Sequence, residues 1–148
     1  MKLSRTVTYA IQATLQLAQS KTGGPVPCSQ LAACSSMPER FLLQVLRSLV
    51  THGILSSTRG VVGGYMLQRA PEEISLLDLI EAIEGPLVSS VPATPSLAEE
   101  TIAKLQQALN DAAAAKRFEL SRVSLADLLV ISTTDDATAS APGGPQTS

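Results

Sequence analysis

Long apolar runs are missing from this sequence: nowhere do the roughly 18 to 20 unbroken apolar residues of a membrane span follow one another. The start, Met1-Lys2-Leu3-Ser4-Arg5, is not followed by the apolar core of a signal peptide, so the expected location is the cytoplasm with no membrane partner. Cysteine is scarce. Cys28 and Cys34 are too few for the disulfide framework of a small secreted domain, and their separation matches no common zinc spacing. Small thiols of this kind are commonly buried and inert, which is the favoured reading over oxidant sensing. The single histidine, His52, stands among no Ser, Cys or Asp constellation that makes a nucleophile with its base. At the end of a helical segment it suits the helix dipole, and alone it makes a poor metal site. No catalytic residue, no metal and no cofactor is therefore expected.

Net basic charge is also lacking, because the formal total is -2. The distribution reverses its meaning. Up to Ala70 the seven bases Lys2, Arg5, Lys21, Arg40, Arg47, Arg59 and Arg69 face one acid, Glu39, a formal +6. From Pro71 onward four bases face 12 acids, a formal -8. A cationic first half on an acidic remainder suits a head that meets a polyanion and a body that is repelled by it.

With 45% hydrophobic residues the chain can bury one core of ordinary size. After a Ser4 cap, Leu3, Val7, Ala10, Ile11, Leu15 and Ala18 recur at helical spacing and predict one apolar face. Thr22-Gly23-Gly24-Pro25 ends that helix, and Val26-Pro27 is a short extended lead into a second, roughly residues 29–33. Ser35-Ser36 makes a turn, and residues 37–52 read as a third helix stopped by Gly53. Its buried stripe is Phe41, Leu42, Val45, Leu46 and Leu49, while Arg40, Gln44, Arg47 and Thr51 share the opposite face. From Ile54 to Leu67 two strand-like runs flank a glycine-rich tip carrying Arg59, and Gly60, Gly63 and Gly64 are expected to supply positive backbone angles. The glycine run follows a strand but opens no helix, unlike a phosphate loop. Helix, turn, helix, hairpin is a winged helix-turn-helix, whose commonest task is reading duplex DNA.

Ser75 with Asp78 predicts a capped fourth helix to Glu84, stopped by Gly85-Pro86, which braces the wing. Residues 87–95 read as an irregular linker. Ser96 with Glu99 predicts a capping box for a long helix to about Phe118. Ile102, Leu105, Leu109 and Ala112 form a narrow seam on it, with Ala108 and Ala113 small beside them, so two copies can pack there as a homodimer. At about 1.5 Å per residue that helix measures roughly 33 Å, comparable with the roughly 34 Å between half-sites on one DNA face. Ser124-Leu125-Ala126-Asp127 starts a last short helix, and residues 132–148 lack large apolar side chains and read as a disordered tail. The expected fold is thus mainly α: a winged helix-turn-helix over residues 1–86 with a two-stranded β wing, a linker over 87–95, and a long dimerisation helix with a short terminal one over 96–131.

The order Met1-Lys2-Leu3-Ser4, Tyr9-Ala10, Gly24-Pro25-Val26, Phe41-Leu42 with Gln44, Gly53-Ile54, Arg59-Gly60, Gly63-Gly64-Tyr65-Met66-Leu67, Pro71-Glu72-Glu73-Ile74-Ser75 and Ile83-Glu84-Gly85-Pro86 resembles the bacterial Rrf2 family over about 130 residues. The resemblance implies a homodimeric winged-helix transcription regulator, usually a repressor, with one head on each half of a palindromic operator. It also implies that Arg59 inserts into the minor groove, where narrow A·T-rich stretches concentrate negative potential. Arg40 and Gln44 are candidate base-edge readers, with a phosphate clamp the alternative for Arg40, and Lys2, Ser4 and Arg47 are candidate phosphate contacts. Pro38, Glu39 and Phe41 complete the start of the recognition helix. Gly60, Gly63, Gly64 and Tyr65 shape the wing, the tyrosine more as a packed ring than as a phosphate contact.

The departures are specific. Cluster-binding members carry three closely spaced cysteines after the fourth helix, and residues 87–95 contain none, so an iron-sulfur cluster is not expected. Val61-Val62 stands where many relatives have Pro-Gly, and Leu43 where cluster regulators often carry an acid, so a different operator is expected. The rival reading is a winged helix that no longer reads DNA and serves as a protein-interaction or dimerisation module. Salt dependence of DNA binding separates the two.

Overall fold

The computed structural model describes residues 1–21 and 23–129. Five helices and one hairpin run in the order α1 (Arg5–Gln19), α2 (Cys28–Ser35), α3 (Glu39–Thr51), β1 (Leu55–Thr58), β2 (Gly64–Leu67), α4 (Leu76–Glu84) and α5 (Glu99–Ser121), with a single 3-10 turn at Pro71–Glu73 before α4. A further helical turn occupies residues 125–129, and the tail expected over residues 132–148 lies outside the described residues. Among those described, no helix is long and apolar enough to cross a membrane.

Ser4 caps α1 by accepting a hydrogen bond from the Val7 amide at 3.2 Å. The face that α1 buries is rotated from the expected one. Val7, Ala10, Ala13, Thr14 and Leu17 are buried, Ile11, Leu15 and Ala18 lie half-buried on its margin, and Leu3 is exposed before the helix begins. The small Ala10 and Ala13 allow close approach to neighbouring helices. Thr14 tolerates complete burial because its hydroxyl is shared between the Ala10 and Ile11 carbonyls, each at 2.9 Å.

In α3 the stripe Leu42, Val45, Leu46 and Leu49 is buried as expected, while Phe41 is half-buried with its ring edge-on to Tyr9, centroids 5.6 Å apart. Gly53 ends the helix at φ 73°, a left-handed turn that swings Ile54 and Leu55 into the core at the root of the wing. The hairpin pairs Leu55 with Leu67, Ser56 with Met66, Ser57 with Tyr65 and Thr58 with Gly64.

Only one of the three wing glycines serves the purpose expected of it. Gly60 has φ 118°, whereas Gly63 and Gly64 have none of the positive angles predicted for them. They are required by proximity: a Cβ on Gly63 would stand 2.3 Å from the Thr58 carbonyl oxygen, and one on Gly64 would stand 2.4 Å from the Val26 carbonyl carbon. Gly64 makes room for a third piece of extended chain. Val26 and Tyr65 exchange two backbone hydrogen bonds, each 2.9 Å, so the α1–α2 connection pairs with β2.

The capping box predicted for α4 is complete, with the Asp78 amide donating to Ser75 Oγ and the Ser75 amide to Asp78 Oδ2, each at 3.0 Å. The one predicted for α5 is absent. Thr94 to Leu97 close a turn that engages the backbone of Ser96, so α5 starts from Ala98 without a side-chain cap. Its far end returns to α4: Arg117 pairs with Glu81, the Leu76 amide donates to the Val123 carbonyl, and the Leu125 amide to that of Ile74. Linker residues 87–95 hold no regular element, and Gln106 of α5 anchors them by donating to the Ser89 carbonyl and accepting from the Val91 amide.

Because both Gly64 neighbours in space are backbone, Gly64→Ala is expected to cost about 1–3 kcal/mol, typical of overpacking. Gly24→Ala, with open space around it, is the matched control and should melt within a degree or two of the parent. Urea or thermal unfolding of the two variants checks this.

Candidate nucleic-acid interface

The buried stripe of α3 fixes what the helix shows to solvent. With Leu42, Val45, Leu46 and Leu49 inward, Arg40, Gln44, Arg47 and Thr51 are all exposed. The hairpin rises beside the second half of this face, leaving an open groove of about 490 Å³ lined by Arg47, Val50, Thr51, Ser57, Thr58, Arg59, Gly64 and Tyr65. Four expected site residues, Arg47, Arg59, Gly64 and Tyr65, therefore share one concavity. Arg40 and Gln44 lie on earlier turns of α3, outside the groove but on the same face. Pro38 caps the helix and Glu39 begins it, both exposed, whereas the Phe41 ring belongs to the margin of the core. Gly60 and Gly63 lie at the tip and shape it.

Lys2 and Ser4 line a separate depression with Leu3, Arg5 and Thr8 at the start of α1. Ser4 Oγ accepts from Val7, which leaves the hydroxyl proton free to donate outward. No acid occupies the first turn of α1, and Arg5 is its first residue. That placement opposes the helix dipole and keeps the amino-terminal end positive. Arg5, Ser57 and Thr58 were not among the expected site residues. The unfavourable base at a helix start was the signal for Arg5, and the hydroxyl run beside the tip arginine the signal for the other two.

Charge pairing separates the cations into two groups. Among the described residues, Arg69 is bound to Asp78 at 2.9 Å, Lys104 to Glu100, Arg117 to Glu81 and Arg122 to Glu119. Lys2, Arg5, Arg40, Arg47 and Arg59 form no ion pair there. Arg69, counted with the basic half in the sequence, is thus neutralised by an acid of the other half. Five of the unpaired cations cluster on α3, the wing and the start of α1, where their fields add instead of cancelling, while Lys21 after α1 and Lys116 on α5 also form no ion pair among the described residues.

The neutral groups nearby stay neutral. Tyr65 is half-buried against the core, and burial first, with the adjacent Cys28 second, pushes its hydroxyl above the usual phenol range against the opposing pull of Arg47. The Cys28 thiol points at the Glu39 carbonyl, 3.7 Å away, and burial followed by the Glu39 charge pushes it up. Cys34 is exposed at the other end of α2. His52 is exposed at the α3 cap, with Nδ1 2.8 Å from the Ser48 carbonyl.

On the rear of the molecule α5 buries none of its residues. Its covered side consists of half-buried Ile102, Gln106, Ala113, Lys116, Arg117 and Leu120. The remainder of the expected seam, Leu105, Ala108, Leu109 and Ala112, is exposed, with Leu105 44% and Leu109 39% accessible. Leu109 and Ala112 also border a small depression closed by Leu87, Val88 and Ser89 of the linker.

A recognition helix presented beside a two-stranded wing defines a winged helix-turn-helix protein. The chain belongs to the Rrf2 family: the family model, described as an iron-dependent transcriptional regulator, matches residues 3–130. It is 40% identical over 89 residues to the helix-turn-helix-type regulator Rv1287 of Mycobacterium tuberculosis, covering 60% of this chain and 55% of that protein. It is 32% identical over 87 residues to the regulator CymR of Bacillus subtilis, covering 59% and 63%. The aligned part of the chain thus spans little more than half the length of these relatives. Among solved structures, B. subtilis CymR, described as the global cysteine regulator of that organism, superposes with a TM-score of 0.69 at 27% identity over 88% of this chain and 98% of that one. T. potens IscR superposes with a TM-score of 0.67 at 28% identity over 97% and 94%. The relatives are regulators of transcription, not enzymes.

The family description raises iron, and the donor set here does not fit a cluster. Iron-sulfur centres need thiolates, usually four. The chain has two cysteines, neither of them after α4, and the environment of Cys28 favours its protonated form. Among the described residues no group of three or more His, Cys, Asp and Glu side chains is placed to hold a metal ion.

The two thiols should be chemically distinct. With its proton held more tightly than in the unfolded chain, Cys28 is expected to react more slowly with iodoacetamide at pH 7 than exposed Cys34, and to gain reactivity only as the pH rises past the ordinary thiol range. Peptide mass spectrometry after timed alkylation reads the two rates, and equal rates would contradict this account.

Proposed function

We propose that this chain is a sequence-specific DNA-binding transcriptional regulator, acting as a homodimeric repressor on a palindromic operator and not controlled by a three-cysteine iron-sulfur cluster. The observation that carries the reading is the set of unpaired cations on the α3 face and wing, around a groove that no carboxylate lines. In this reading Arg40 and Gln44 face base edges in the major groove, Arg47 and the start of α1 hold phosphates, and Arg59 reaches the adjacent minor groove. The exposed seam of α5 supports pairing with a second copy. Its 23 residues measure about 35 Å at about 1.5 Å per residue, which matches the separation of half-sites one helical turn apart.

Two outcomes test the reading. Binding to a duplex selected from a random pool should weaken steeply with salt, the slope of log K against log salt being about -0.9 for each phosphate neutralised, and Arg59→Ala should cost about 1–3 kcal/mol. A flat salt response or an unchanged Arg59→Ala variant, measured by fluorescence anisotropy, would return the chain to the class of protein-interaction modules. Leu105→Glu with Leu109→Glu should yield a monomer by light scattering, and should lower affinity for the full palindrome by about 10²–10⁴ while sparing binding to a single half-site.

A further inference from the structure

We propose that Val61 and Val62 form an apolar wedge that enters the DNA minor groove beside Arg59 and makes the wing discriminate against G·C pairs beneath it. The inference rests on the DNA-reading function proposed above. The Gly63 amide donates to the Gly60 carbonyl at 3.0 Å, closing a four-residue turn with the two valines at its corners. Such corners favour Gly, Pro, Asn and Asp, whereas valine is stiff at χ1 and prefers strands. Both side chains project into solvent, 106% and 87% accessible, so no packing within the chain offsets the unfavourable choice. A local rule broken without a structural gain points to a contact outside the molecule.

The surroundings select the partner. Arg59 directly precedes the turn without an ion-pair partner, and the groove behind it continues through Arg47, Ser57 and Thr58. A wholly apolar partner would leave those cations unmatched. The minor groove offers phosphates at its rim, deoxyribose carbon on its walls, and a floor that carries an exocyclic amino group only at G·C pairs. Apolar side chains inserted there are a known means of parting base steps and bending the duplex, while a cation beside them follows the groove's pattern and width. Arg59 would follow the negative potential while Val61 and Val62 fill the space that the guanine amino group occupies.

The test compares the full-length protein with Val61→Ser/Val62→Ser on a duplex that the parent selects from a random pool. The variant should melt with the parent, since neither side chain touches the fold. It should bind about tenfold more weakly, with an unchanged salt slope because no phosphate contact is lost. Exchanging A·T for G·C pairs under the wing should weaken the parent and hardly affect the variant, and inosine·C, which lacks the amino group, should restore the parent. Equal affinities, or equal sensitivity to the G·C exchange, would overturn the wedge while leaving the DNA-reading function intact. Failure of the parent to bind any duplex would remove that function and the wedge with it. Binding lost in a protein partner but not in DNA would assign the valines to a protein surface and overturn the proposal.

Discussion

Two hydrogen bonds between Val26 and Tyr65 set the angle of the wing. A two-stranded hairpin of four residues a side is marginal alone and takes its direction from what it is attached to. Here β1 is rooted in the core by Ile54 and Leu55, and β2 is held to the α1–α2 connection by backbone pairing that succeeds only because Gly64 has no side chain. The Tyr65 ring then packs on the head and closes one wall of the groove. With α3 held by its buried stripe and the wing by this bridge, both walls are fixed before any partner arrives. Preorganised walls spare a partner the cost of ordering them.

The distribution of ion pairs follows the same division of the molecule. Acids of the second half meet bases at Arg69–Asp78 and Arg117–Glu81, contacts that join the chain just after β2 to α4, and α4 to α5. These pairs are partly exposed and individually modest in energy. Their larger effect is on the field: they remove charge from the middle of the molecule and leave the α3 face, the wing and the start of α1 as its main cluster of uncompensated cations. The backbone bridges from Leu76 to Val123 and from Leu125 to Ile74 bind the end of α5 to α4, and α4 packs on α1 and α3. The orientation of the rear helix is therefore transmitted through packed structure to the recognition helix.

Much of this was legible because the signals were local. The apolar spacing of α3, the glycine stop at Gly53, the Ser75–Asp78 box and the glycine-rich tip between two strand-like runs are each decided within a few residues, and each element formed where it was expected. The errors share one physical origin. The rotated face of α1, the close approach at Gly63 and Gly64, and the turn that took Ser96 away from α5 all depend on what lies nearby in space. Composition shows a glycine, but only tertiary contact shows whether the chain needs its angle or its missing carbon. Of the candidate site, the residue types and their common face were readable from helical spacing. The separation of the α1 depression from the wing groove, and the capture of Arg69 by Asp78, were not.

The linker after α4 shows how far a family pattern can be carried onto a particular chain. Where cluster-binding members have closely spaced cysteines, this chain has Leu87 to Pro95 and holds it through one amide of α5. Gln106 accepts from Val91 at 3.0 Å and donates to Ser89 at 2.8 Å and to Asn110 at 2.9 Å, so both ends of its side chain are satisfied. Neutral hydrogen bonds at an accessible site are worth about 1 kcal/mol each. These bonds, with the contact of Leu87 and Val88 beside Leu109 and Ala112, are what hold the segment here, where ligation by several thiolates would tie it through far stronger bonds. In this chain the linker is tied to the rear helix through the one Gln106 side chain, while the rear helix reaches the head through α4, by the Arg117–Glu81 pair and the backbone bridges that follow α5.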